Sequence, residues 1–130
     1  MKYLLLTACL LVAFQTQAQQ KGKTKEPPDI FTYIEQMPAP GYDMGAYLGQ
    51  NMTYPDSARK HNIEGRVLIR FVVNEDGRVS DAKVMRGIGY GCDEEALGVV
   101  EKMPRWIPGK QNDKPVKVYF NLPIVFKLED

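Results

Sequence analysis

Histidine occurs once and cysteine twice in the 130 residues, so no cluster with metal-ligand spacing exists and no network of bridges can staple the fold. Long apolar runs are missing too. The longest, Tyr3 to Phe14, covers 12 residues, short of the ~20 that span a bilayer as a helix. Charge of one sign is not in excess either: 17 basic residues face 16 acidic ones, for a net charge of +1. Such a balance gives no general attraction for nucleic acid or anionic lipid. Lys21, Lys23 and Lys25 form a local basic stretch that reads as solubilising linker.

The front of the chain looks like a secretory leader. Lys2 precedes the apolar run, and Thr16 and Ala18 suit the −3 and −1 positions of a signal-peptidase site, which places cleavage after Ala18. Two alternatives stay open. Leu6-Thr7-Ala8-Cys9 can be read as a lipoprotein box with Cys9 acylated, and the leader can be read as an uncleaved anchor; either would tether the protein to a membrane. Loss of residues 1–18 removes Cys9, leaves Cys92 without an intramolecular partner, and brings the bases to 16 against 16 acids. Cys92 then reads as a small core residue rather than a reactive thiol. Residues 19–29, with Pro27-Pro28 and nothing apolar to bury, read as a flexible linker. Residues 30–130 make one domain.

Within that domain the strand signals are the clearest. Val67, Ile69, Phe71 and Val73 alternate with Arg66, Arg70 and Asn74, the period of two of a half-buried strand over 65–74. Asn74-Glu75-Asp76-Gly77 supplies hairpin chemistry, and a second strand returns over 79–86. Val79 and Val84 have opposite parity, which predicts a bulge or a twist near Asp81. A third strand runs from Val116 to about Leu128, with every even position apolar. Helices are predicted over 54–61, with Pro55 in the first turn, and over 92–103, where Asp93, Glu94 and Glu95 suit the helix dipole. Residues 41–52 form a weaker helix interrupted by Gly45 and Gly49. Asn112 and Asp113 fall in a polar loop reaching Lys114.

These elements define an α+β fold: a three-stranded antiparallel sheet of order 2-1-3 with two helices on one face. The third strand is then an edge. Pro123 agrees, because a proline is tolerated where its missing N–H faces no neighbour. Parity assigns Lys117, Tyr119, Asn121, Val125 and Lys127 to the open side. A bare edge of about 13 residues, roughly 40 Å at ~3.3 Å per residue, is a hazard unless covered or used. Use means β-augmentation, an extended peptide adding as a further strand. Cover by residues 30–50 or by the C-terminus is the alternative, as is simple protection by the two lysines and Pro123.

Catalytic chemistry finds little support. His61 fits a helix C-terminus, Glu94-Glu95 needs only the helix dipole, and Gly87-Ile88-Gly89-Tyr90-Gly91 lacks the lysine of a phosphate loop and reads as a flexible turn. Trp106 reads as core. No enzyme activity, cofactor or metal is implied.

Tyr54-Pro55, Ala58, Ile63-Glu64-Gly65-Arg66-Val67, Phe71-Val72-Val73, Asp76-Gly77-Arg78-Val79, Ala96-Leu97, Trp106-Ile107-Pro108-Gly109-Lys110 and Leu122-Pro123-Ile124-Val125-Phe126, in this order, resemble the C-terminal domain of TonB-family proteins, a fold shared with TolA. Ile34-Glu35-Gln36-Met37-Pro38 resembles a lead-in of many relatives. The resemblance implies a periplasmic module that grips the TonB-box peptide of outer-membrane transporters by strand addition, with Asn51, Met52 and Thr53 near the partner. It also implies inner-membrane motor proteins as partners if the chain is anchored. The departure is at the front, where a full energy transducer has a membrane helix and a long proline-rich spacer. A self-associating envelope protein, paired edge to edge as a homodimer, is the alternative without a transport role.

Overall fold

The computed structural model describes residues 30–129. The leader over 1–18, Cys9 and the linker over 19–29 lie outside the described residues. Strand β1 is Ile30–Phe31, helix α1 Met44–Asn51, helix α2 Asp56–Lys60, strand β2 Gly65–Val73, strand β3 Val79–Arg86, helix α3 Cys92–Glu101, strand β4 Gly109–Gln111 and strand β5 Lys114–Phe126.

The alternation in β2 does what its period requires. Val67, Ile69, Phe71 and Val73 are fully buried against the helices, together with Ala58, Cys92, Ala96 and Val100. Beyond β2 the chain turns tightly, with the Gly77 N–H donating to the Asn74 carbonyl at 2.9 Å and the Asn74 N–H to the Arg78 carbonyl at 2.9 Å. Gly77 has φ +88°, and a Cβ there would stand 2.1 Å from the Trp106 carbonyl oxygen. The turn therefore needs glycine twice over, for its backbone angle and for its closeness to a second segment. The β2–β3 register slips between Arg70 and Val72, where Asp81 adopts φ 54°, so the bulge sits where the parity change in the sequence puts it.

β5 pairs antiparallel with β2 through an unbroken register from Gly65↔Phe126 to Val73↔Val118. The three long strands thus stand in the order expected, β5-β2-β3. Two short strands extend the sheet beyond that expectation. β4 folds back on the start of β5 through Asn112 and Asp113, both at positive φ (54° and 64°), so the polar loop is a two-residue hairpin of the type that asparagine and aspartate favour. β1 pairs parallel with β5, Ile30 opposite Lys117 and Phe31 opposite Val118. The third strand is consequently not an edge along its whole length. It also stops at Phe126, short of Leu128, because the Leu128 N–H donates to the Glu64 carboxylate at 2.8 Å instead of to a strand.

Three helices, not two, cover one face of the sheet. α1 forms in spite of its glycines because the Asp43 Oδ1 accepts from the Ala46 N–H at 3.1 Å, and because Tyr47 and Leu48 pack on the core. α2 begins just after Pro55, which takes the cap position rather than the first turn. α3 ends at Glu101; Met103, still buried, follows it in a tight turn. Trp106 lies in the core, its ring centroid 4.8 Å from that of Phe120 and 5.3 Å from that of Phe71. The lead-in after β1 is strapped to the stretch before β4: Gln36 and Lys110 exchange backbone bonds of 3.1 and 2.9 Å, and Ala39 and Ile107 bonds of 3.1 and 2.7 Å.

Candidate functional site

Which backbone groups of β5 are left over follows from its two sets of neighbours. In an antiparallel ladder residues alternate between those that bond to the neighbour and those that face away. Pro123 has no N–H to give, and it stands opposite Leu68. Tyr119, Asn121 and Val125 share its parity and turn their amide groups outward, and beside the last two no strand follows among the described residues. Lys117 shares that parity too, but β1 occupies the flank there. In a parallel ladder a residue bonds to the two that flank its partner, so Phe31 opposite Val118 also draws on Tyr119. The bare flank thus begins at Tyr119, and Asn121 and Val125 are clear of β1. Lys127, exposed, lies past the end of the strand.

A groove of about 520 Å³ runs beside the far half of this flank. One wall is Pro123, Val125, Phe126 and Lys127; the other is Gly45, Leu48, Gly49 and Met52 of α1 and its cap, with Tyr54 at the base. The α1 residues recur at intervals of three and four and so share one helix face. Both glycines leave that face open, and a Cβ at Gly49 would meet nothing within 4 Å. Besides weakening the helix, the two glycines, four residues apart, lie side by side on it. Tyr54 is held by its hydroxyl, which donates to the Ile63 carbonyl, and by edge-on packing against Phe126 at 5.6 Å.

Of the segment expected near a partner, only Met52 lines this groove. The Asn51 Nδ2 donates to the Tyr47 carbonyl at 2.8 Å, and its side chain borders a separate cleft with Glu94, Gly98 and Lys102. The Thr53 N–H donates to the Glu95 carboxylate at 2.8 Å. Asn51 and Thr53 are thereby turned to α3 rather than to β5.

The remaining reactive groups have structural occupations. Cys92 is fully buried, and burial together with the charges of Asp93 and Glu94 pushes its thiol pKa up, away from a nucleophilic thiolate. His61 ends α2, its Nδ1 2.8 Å from the Ser57 carbonyl and its ring beside Tyr90. The loop of Gly87 to Gly91 is held by Asp93, whose Oδ1 accepts from the N–H groups of Ile88 and Gly89 at 2.8 and 3.1 Å. Among the described residues no three His, Cys, Asp or Glu side chains converge as for a metal ion, and no helix is long and apolar enough to cross a membrane.

A helix-backed α+β domain whose last long strand keeps half of one flank bare is a strand-presenting architecture. Residues 50–128 match the family model described as Gram-negative bacterial TonB protein C-terminal, and the chain belongs to that family. Among solved structures it is similar to the C-terminal domain of Helicobacter pylori TonB, at 26% identity and a TM-score of 0.51, over 65% of this chain and 89% of that one. A longer form of the same H. pylori domain matches at 25% identity and a TM-score of 0.48, over 66% of this chain and 78% of the other. No curated protein matches in sequence.

Proposed function

We propose that this chain is a periplasmic TonB-like peptide-binding domain without catalytic activity, which takes part in transport across the outer membrane by adding the TonB-box segment of a transporter as a strand along β5. The observation that carries the reading is the bare flank from Tyr119 to Phe126 with the α1 groove beside it. Backbone bonds at Asn121 and Val125 would supply affinity, and alternate guest side chains would enter the groove beside Met52, Leu48 and Gly49. Tyr119 and Lys127 would mark the two ends of the docked segment. Lys117 is left out of the contact, since Ile30 already stands against it. If the leader stays attached as an anchor, inner-membrane motor proteins are the further partners.

Titration of labelled TonB-box peptides against the purified chain tests the proposal, and saturable binding is the expected result. Absence of saturation with every transporter peptide at millimolar concentration would remove it. Sedimentation across a wide concentration range distinguishes the edge-to-edge homodimer, which would bury the same flank.

A further inference from the structure

The sheet face turned away from the helices carries a pattern that strand addition on β5 does not use. On β2 it carries Arg66, Leu68 and Arg70 at the surface, Val72 of the same parity being fully buried, and the register sets Arg86 opposite Leu68 and Lys83 opposite Arg70. Arg66, Arg70, Lys83 and Arg86 therefore share a patch about 13 Å long and two strands wide, the strands about 4.8 Å apart. Three of the four are exposed and Arg70 is half-buried.

Among the described residues none of these four makes an ion pair, the salt bridge present being Arg78 with Asp76. Asp81 is the one carboxylate on the three long strands, and its Oδ2 lies 3.5 Å from the Ser80 hydroxyl. Like charges directly opposite each other, as Arg70 and Lys83 are, destabilise a sheet. They also lie within the screening length of about 8 Å, so salt relieves them only in part. α3, on the far side, holds Asp93, Glu94, Glu95 and Glu101 and no base. With Asp56, Arg59 and Lys60 of α2 counted, the helix layer still has five acids against two bases, opposite in sign to the patch.

We propose that this cationic face docks on the anionic headgroups of a lipid bilayer. The patch is a sheet surface, and none of its four cations lines the groove beside β5 or the cleft beside Asn51. A plane of headgroup phosphates meets all four cations at once. Tyr119 lies on the same face, under Arg70, and its amphipathic ring suits a membrane interface.

The test is co-sedimentation of the full chain with phosphatidylcholine vesicles, with and without phosphatidylglycerol, reading the increment due to the anionic lipid. A salt-sensitive increment is expected, and the pair Lys83→Glu with Arg86→Glu weakens it roughly tenfold or more. Both residues are on β3, the strand farthest from the β5 flank, so peptide titration of the same variant reports separately on the function proposed above. Lys83→Gln with Arg86→Gln gives an intermediate loss and guards against misfolding of the reversed pair. Adding Glu94→Lys and Glu101→Lys restores net charge on the opposite side and leaves binding lost. No increment in the wild type, an increment unmoved by the reversal, recovery on restoring net charge, or binding to soluble nucleic acid or acidic peptide in place of vesicles would each overturn the proposal.

Discussion

The guanidinium of Arg70 lies over the ring of Tyr119, 4.3 Å from its centre, and so ties the middle strand of the sheet to the point where β1 ends and the bare flank of β5 begins. A half-exposed contact of this kind contributes about 0.5–1 kcal/mol. Arg70→Ala is expected to lower unfolding free energy by about that amount in urea titration, and Arg70→Lys by less. Equal stability of Arg70→Ala and the wild type would show that the contact adds nothing.

Asn121 faces the bare flank, and among the described residues its N–H has no strand to donate to. Asn121→Pro should weaken peptide binding about three- to tenfold, the worth of one net hydrogen bond of about 0.5–1.5 kcal/mol. Its thermal midpoint should stay close to that of the wild type. Leu122→Pro, one residue on and facing β2, should instead unfold the domain. Unchanged affinity in Asn121→Pro would place the guest elsewhere.

Gly77→Ala combines a strained φ with a methyl group set into the Trp106 carbonyl. The expected loss is about 2–4 kcal/mol, large for a surface turn. Denaturant unfolding measures it; a loss below 1 kcal/mol would show that the hairpin can shift away from Trp106.

Gly49 is the reverse case, in a helix and with open space where a Cβ would go. Gly49→Ala should stabilise the domain by about 0.5–1 kcal/mol. Gly49→Trp should fill the groove and impair peptide binding without lowering the unfolding midpoint. Intact binding in that variant would exclude the groove from recognition.

Asp76 closes the hairpin. The Arg78 N–H, donating at 3.0 Å, and the Arg78 and Arg105 charges hold its carboxyl below the ordinary 3.8. A folded pKa below the unfolded one gives stability that is present above pH 3.8 and lost as pH falls through the lowered value. Asp76→Asn should therefore be less stable than the wild type near neutrality and show a shallower decline below about pH 4. Parallel pH profiles for the two proteins would remove Asp76 from the acid response.

What the sequence discloses, and where it stops, follows from the reach of each signal. Val67 to Val73 and the even positions from Val116 onward repeat often enough for period and parity to be read directly, and Asp76-Gly77 joins them locally. The bulge at Asp81 is legible for the same reason, as a break in an otherwise clear rhythm. β1 and β4 are two and three residues long, too short for any period, and exist because distant chain lies alongside them. Lys117 is covered by Ile30 and the Thr53 N–H is claimed by Glu95, partners 87 and 42 positions away along the chain. No local pattern encodes such pairings. For β4 the local cue is Asn112-Asp113, the chemistry of a two-residue hairpin as well as of a polar loop.

β1 and the bare flank belong to the same side of one strand, the first alongside its opening half and the second along its closing half. A pull applied at Ile30 and a pull applied at Asn121 and Val125 would therefore meet within β5 itself. That strand is joined to β2 without a break from Val118 to Phe126. Traction along its axis would strain those bonds together, in shear, rather than peel them one after another.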